Sequence, residues 1–308
     1  MELHMKATLP LRAALTANAV FSLSSALLML LVPEVVGRWL GIQAPGIFQL
    51  LAVGLVVFAA ELIYQATRRR IATWRALLAS ATDFTWVVAS IVLLSVFPRL
   101  FSPSGDLLVL AVAGAVFVFG AWQLWAAGHT HRTGEGGTYR HCIVVETNAP
   151  AQDLWQIVGS LGDIMRYMPS LKRSAVLDGK SPGVGAVRTC EDRAGKRWSE
   201  ECTAYDPGRS FDVRFRTEAP DFPFPASVMR GGWKIMPSAA GSQVMVWWEL
   251  TPKPRLLAPL ILPLLALNAD REFPRIIQRM AATAVGNAGG AQPPSNARVA
   301  ARLVPTVC

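Results

Sequence analysis

Histidine and cysteine are scarce in this chain, and their scarcity removes several kinds of chemistry at once. Of 308 residues, four are histidine and four are cysteine. Past residue 137 only His141 remains, at the start of a strand, so Ser-His and Cys-His catalytic pairs are nearly excluded. Cys142, Cys190, Cys202 and Cys308 show neither C-x-x-C spacing nor a dense framework, and reduced thiols are the simplest expectation. Zinc spacings, phosphate loops and other cofactor motifs are missing, so neither a metal nor a cofactor is expected. Charge is also thin, at 17 % against 52 % hydrophobic residues, an unusual balance for a soluble protein. The net +9 divides into +3 up to Gly137, +4 from Thr138 to Ala288 and +2 beyond. No segment forms a basic stripe interleaved with aromatics, so nucleic acid is not an expected partner.

What is present is apolar sequence, concentrated before residue 128. Four stretches, Leu11–Val32, Gly46–Thr67, Ala76–Phe97 and Leu107–Ala127, approach the ~20 residues that cross a hydrocarbon core. The first lacks the small-residue cleavage site of a signal peptide. Arg68, Arg69, Arg70 and Arg75 lie between the second and third stretches, while the other two loops carry only Arg38 and Arg99. By the positive-inside rule this loop is cytoplasmic, which puts the N-terminus and everything after Gly128 on the cytoplasmic side of an inner membrane. Trp39, Trp74, Trp122 and Trp125 near the predicted ends fit an aromatic belt.

Glu61 and Asp83 are carboxylates inside the predicted spans. Asn18 and Gln123 should lie at a similar depth, so all four spans are expected to offer a polar group to one layer. Such groups either hold helices together through hydrogen bonds or serve proton-linked transport or sensing, because a lone charge in lipid is costly. This half resembles small four-span bacterial membrane proteins, the broad group around the DoxX-like proteins. No residue motif carries that likeness, and it adds architecture only.

His129 to Gly137, HTHRTGEGG, reads as a polar linker; without a second ligand pair its histidines are read as solvated. The pattern then predicts a strand over Thr138–Asn148, a helix over Ala151–Ser160, a short helix over Gly162–Tyr167 and a strand over Leu171–Leu177. A three-strand meander follows over Pro182–Phe215. A proline-rich loop, Ala219 to Pro225, leads to strands over Ser227–Met236 and Gln243–Leu250. A helical stretch over Arg255–Val285 is interrupted on paper by Pro259, Pro263 and Pro274. The tail from Gly286 is rich in Gly, Pro and Ala and is expected to be disordered.

The meander permits a register argument. If Ala194-Gly195 and Pro207-Gly208 are two-residue turns, Val187, Thr189, Trp198, Cys202, Ala204, Phe211, Val213 and Phe215 share a dry face. Arg188, Asp192, Arg197, Glu201, Asp212 and Arg214 then share a wet one, with Asp192 opposite Arg197 and Glu201 between Arg188 and Arg214. Glu200 is left on the dry face between Thr189 and Phe215. It is the candidate catalytic residue, since a carboxyl in an apolar cavity suits acid/base work. A buried acid satisfied by Thr189, Tyr167 or water is the structural alternative. Trp155, Tyr167, Thr189, Trp198, Phe211, Phe215, Trp233 and Trp248 are the candidate ligand-binding residues, although plain core packing draws on the same types.

One strand, two short helices, a run of strands and a long helix call for a curved antiparallel sheet closed by the last helix. The pieces Ala149-Pro150 before Trp155, Pro182-Gly-Val-Gly-Ala-Val-Arg188, Thr203-Ala-Tyr-Asp-Pro-Gly-Arg209 and Pro223–Pro225 are similar to the polyketide cyclase/dehydrase and lipid-transport branch of the START-like helix-grip superfamily. That resemblance spans roughly Tyr139 to Ala284. It implies a deep apolar cavity for lipids, quinones, polyketides or similar hydrophobic ligands, and no single reaction. The family pattern also has a Glu at the place of Glu200, and it includes Arg188, which the register places outside.

The expected architecture is a membrane all-α four-helix bundle followed by an α+β helix-grip domain, its sheet curved around a long C-terminal helix. The expected boundaries are 1–128 for the bundle, 129–137 for the linker, 138–288 for the helix-grip domain and 289–308 for the tail. The expected partners are a hydrophobic small molecule and membrane lipid. Binding or transfer of that molecule is the first functional reading. A cyclase or dehydratase using Glu200 is the second, and a proton-linked transporter or sensor using Glu61 and Asp83 is the third. From Leu256 to Leu267 the last helix is apolar on every side, fit either to plug the sheet or to dip into a bilayer interface. Oligomeric state leaves no trace in the sequence.

Overall fold

The structure is a computed structural model describing residues 2–68, 71–131, 138–289 and 302–304. Arg69 and Arg70 of the arginine run, 132–137 of the expected linker, and 290–301 and 305–308 of the expected tail lie outside the described residues. The chain divides into two compact units, Met1–Thr130 and His131–Cys308.

The first unit contains helices α1 (Glu2–Leu31), α2 (Pro33–Leu40), α3 (Pro45–Thr67), α4 (Thr73–Val96) and α5 (Pro103–His129). Segments of four of them, Thr8–Leu31, Pro45–Thr67, Trp74–Val96 and Pro103–His129, are long and apolar enough to cross a membrane. Prolines at the first turns of α2, α3 and α5 open those helices where a backbone N–H has no intrahelical partner anyway. Helix α1 packs along α3 and α5, and α5 along α4. Small residues allow the close approach: Ala14, Ala19, Ala52, Ala59, Ala76, Ala79, Ala126 and Ala127 are all buried.

The second unit is an antiparallel sheet gripped by a helix. Its elements are β1 (Tyr139–Thr147), α6 (Ala151–Val158), β2 (Leu171–Val176), β3 (Val187–Asp192), β4 (Arg197–Asp206), β5 (Ser210–Phe215), β6 (Ala226–Ser238), β7 (Gly241–Pro252), α7 (Ala258–Gly289) and β8 (Arg302–Val304). The strand order is β2-β3-β4-β5-β6-β7-β1-β8. Val244, Val246, Trp248 and Leu250 alternate inward along β7, as the period-two pattern requires. Ile276, Ile277, Met280, Ala281 and Ala284 of α7 close the main core over the inner sheet face, joined by Leu154, Trp155 and Val158 of α6.

Several expectations need correction. Helix α7 runs on through Pro263 and Pro274, since burial of Leu262, Ala266, Ile276 and Ile277 on either side outweighs the lost backbone bonds. The tail is not wholly irregular, because Arg302–Val304 pairs with Val144–Glu146 of β1 and satisfies backbone groups of that strand. Reduced thiols fail at Cys142, which is disulfide-bonded, while Cys190 and Cys202 are free. Spacing in sequence does not report which sulfurs a fold brings together.

The meander departs from its expected register for one physical reason. Both turns are three-residue loops, with Gly195 and Gly208 in the left-handed region at φ +82° and +83°. In the first loop Glu191, not Arg193, closes the ladder opposite Arg197, and every β3 side chain changes face. Arg188 and Cys190 turn inward; Val187 and Thr189 turn outward. In β4 a bulge between Cys202 and Ala204 absorbs the second shift. Beyond the bulge Tyr205 joins the core, while Ala204, expected on the dry face, is exposed. The expected pairing of Asp192 with Arg197 is replaced by Glu191, which binds Arg197 at 3.1 Å and Lys172 at 3.2 Å. Asp192 instead accepts the backbone N–H groups of Ala194 and Lys196. Glu201 keeps Arg214 at 3.3 Å but has Arg216, not Arg188, as its other cation.

Candidate functional site

The corrected register gathers charged groups in an otherwise apolar interior. Arg188 on β3 lies directly opposite Glu200 on β4, with Phe215 on Glu200's other side. Both side chains are buried, Arg188 at 6 % exposure and Glu200 at 5 %. Arg188 Nε donates to Glu200 Oε2 at 3.1 Å, and Nη2 makes a short bond to the same oxygen. Nη1 donates to the carbonyl of Leu161 at 2.8 Å. Leu161 has φ 58°, unusual for a branched residue, and the guanidinium holds the carbonyl that this conformation presents. Glu200 Oε1 accepts from Trp198 Nε1 at 2.7 Å. Thr189 and Tyr167 are not its partners: Thr189 donates outward to the carbonyl of Ala175.

Electrostatics follow from this arrangement. Burial works against the Arg188 charge, but Glu200 overrides it and holds the guanidinium above its ordinary value. Burial, with the charge of Glu200 added, pushes the Cys190 thiol up to about 12, so it is an inert protonated thiol at neutral pH. The apolar surroundings expected for Glu200 are thus replaced by a guanidinium. Both its oxygens are engaged, and acid/base work would require releasing one of those bonds.

Arg188 of the ion pair borders a void in the core. Arg188, Leu161, Phe211, Trp233, Ile157 and Met280 line a space of about 10 Å³, enough for a single water. The space beside Arg188 is thus far smaller than the deep apolar cavity implied by the resemblance. Of the candidate ligand-binding residues, Trp155, Tyr167, Phe211 and Trp233 belong to the main core, with Phe215 packed against it. Trp248 belongs to a separate cluster with Leu250, Ala258 and Leu262. Trp198 stacks edge-on to Phe224 at 5.1 Å, and Phe224 meets Phe215 and Phe222 at 6.1 and 5.4 Å. Thr189 lies on the opposite face from these residues.

Sequence reasoning missed three features. Arg188 was visible in the Pro182–Arg188 pattern, but a turn length one residue short moved it outside. Phe222 and Phe224 were hidden in a loop with no periodicity. His141 Nε2 lies 2.8 Å from Asp270 Oδ1, tying β1 to α7, and nothing local in sequence marks so distant a pair.

The helical unit holds a second polar cluster. Asp83 Oδ2 accepts from Asn18 at 2.9 Å and Gln123 at 2.7 Å, and all three residues are buried. Gln123 Oε1 is buried without a hydrogen-bond partner. Glu61 does not join this layer, as had been expected. It pairs with Arg75 at 2.8 Å and accepts from Gln65 at 3.2 Å, because Arg75 reaches it from the start of α4. Three helices, not four, therefore supply the layer. Among the described residues no group of three His, Cys, Asp or Glu side chains is placed to hold a metal ion.

Residues 140–285 match the family described as polyketide cyclase / dehydrase and lipid transport. Among solved structures, Ara h 8.0201 is 17 % identical, covering 48 % of this chain and 99 % of its own, with a TM-score of 0.38. The Zhui aromatase/cyclase from Streptomyces sp. R1128 is 15 % identical, covering 50 % and 98 %, with a TM-score of 0.39. A Thermobifida fusca protein is 22 % identical, covering 47 % and 93 %, with a TM-score of 0.38. No curated protein matches the chain in sequence. The C-terminal half of this chain has a helix-grip fold, an antiparallel sheet closed by one long helix, and over residues 140–285 it resembles the polyketide cyclase / dehydrase and lipid-transport family.

Proposed function

We propose that this chain is a membrane-anchored protein whose C-terminal domain binds, and hands over, a hydrophobic molecule carrying one polar group. The observation that carries the reading is Arg188, which lines the core void and is held there by Glu200, itself bonded by Trp198. An ion pair buried in an apolar core is on average no stabiliser compared with hydrophobic residues of the same volume. A ligand's carbonyl, hydroxyl or carboxyl group gives it a use: the guanidinium or the indole N–H exchanges a protein partner for the ligand, while the tail lies against Phe211, Trp233 and Met280. The family's description, which includes lipid transport, supports the same ligand class. Four apolar helices long enough to cross a membrane support the anchor.

The test is mass spectrometry of what copurifies with the intact protein. A hydrophobic molecule with a single polar end, near one per chain and lost from the Arg188→Met/Glu200→Met double variant, is expected. An interior free of any such molecule in the wild type contradicts the proposal. Turnover of a bound molecule that is abolished in Glu200→Gln would favour the cyclase or dehydratase reading over a carrier.

A further inference from the structure

The short turn Arg255–Leu257 and the first turns of α7 that follow it carry apolar side chains on two opposite sides, and the core uses only one of them. Ala258, Leu262 and Ala266 are buried against Trp248, Leu250 and Ala226. Facing away are Leu256, Leu257, Leu260 and Leu264, exposed at 88, 46, 47 and 48 %. Leu256, Leu260 and Leu264 follow one another at the four-residue spacing that lines up side chains on a helix face. Among the described residues of the domain this face has no partner. Exposed basic residues bracket it, with Lys253 and Arg255 before the leucines and Arg271 beyond them, two turns past Leu264.

We propose that this leucine face docks onto an anionic lipid surface, lying in the interface with its basic flanks toward the headgroups. A helix with leucines on one face and Lys/Arg at its borders has the chemistry of an interfacial segment, and the positive flanks complement anionic headgroups. The inference rests on the reading of the chain as membrane-anchored. Chain length supplies the second support: nine residues separate His129, the end of α5, from Tyr139, the start of β1, and nine extended residues reach ~30 Å. The domain therefore stays within reach of the bilayer. A second copy of the chain and an intramolecular lid are the competing occupants.

The test places a photocrosslinking amino acid at position 260, and separately at 256, in the intact chain in nanodiscs of phosphatidylcholine with or without phosphatidylglycerol. Lipid adducts at both positions are expected, several-fold more abundant in the anionic discs. The same probe at position 282, exposed near the other end of α7, should give none. With the probe at 260, Leu256→Asp/Leu264→Asp should cut the adduct several-fold. Adducts to a second copy, to another part of the same chain or to nothing overturn the proposal, as do equal yields in both discs or lipid adducts at 282. Retained lipid adducts with no copurifying ligand would sink the ligand reading alone, and the converse result would sink the docking alone.

Discussion

Truncating either Arg188 or Glu200 strands the other charge in the core, at 5–6 % exposure. Loss of one partner of such a pair costs about 3–5 kcal/mol, whereas replacing both with apolar groups of similar volume is close to neutral. Arg188→Met should therefore lower the unfolding midpoint of the C-terminal domain sharply, and adding Glu200→Met should recover most of the loss in thermal melts. Cys190 offers a pH signature. Its thiol sits at about 12 in the folded chain against an ordinary 9.0. The folded state thus keeps a proton that the unfolded chain gives up above pH 9. The associated stability is complete below pH 9 and is lost as pH rises toward 12. Cys190→Ala should flatten that decline, seen as a smaller fall in melting midpoint across this window than in the wild type.

Among elements, the β3–β4 hairpin shows how one residue of loop length decides what a sheet buries. The dry face of β4 up to Cys202 and of β5 was legible in sequence, because Trp198, Glu200, Cys202, Phe211, Val213 and Phe215 keep period two from the strand ends. The β3 face was not, because Ala194-Gly195 fits a two-residue turn as well as the last two residues of a three-residue loop. The pattern Val187–Asp192 carries charges on both faces, so its hydrophobicity could not arbitrate. Glu200 was found and its partner was not, for this reason alone. Gly195 and Gly208 now carry a definite demand, since their positive φ is disfavoured for side chains with a Cβ. Gly195→Ala should destabilise the domain by about 1 kcal/mol, and Ala194→Gly at the neighbouring position should cost less, both measurable by thermal melts. The helical unit tells a similar story: period and length revealed the four apolar helices, but only tertiary packing decides that Asp83, not Glu61, collects Asn18 and Gln123.

At the scale of the whole molecule, two observations bear differently on which side of a membrane the C-terminal domain occupies. The cluster of basic residues between α3 and α4 favours the cytoplasm, while a bonded Cys142 is a trait of oxidising compartments. A fluorescent-protein fusion after residue 308 should glow if the arginine rule governs, and a dark fusion with intact expression places the domain outside. The larger question is the closed interior. The space of about 10 Å³ beside Arg188 is far below the ~300 Å³ at which small-molecule pockets begin, so a ligand enters there only if the lining side chains of the sheet, α6 or α7 move apart. The His141–Asp270 contact ties α7 to β1 and resists separation of the helix from that strand. The most direct measurement is a titration of the intact protein with a panel of fluorescent fatty acids and quinones. Saturable binding of at least one class, at one site per chain and weakened in Arg188→Met/Glu200→Met, is the predicted result; no saturable binding by any member of the panel to the folded protein would contradict the account.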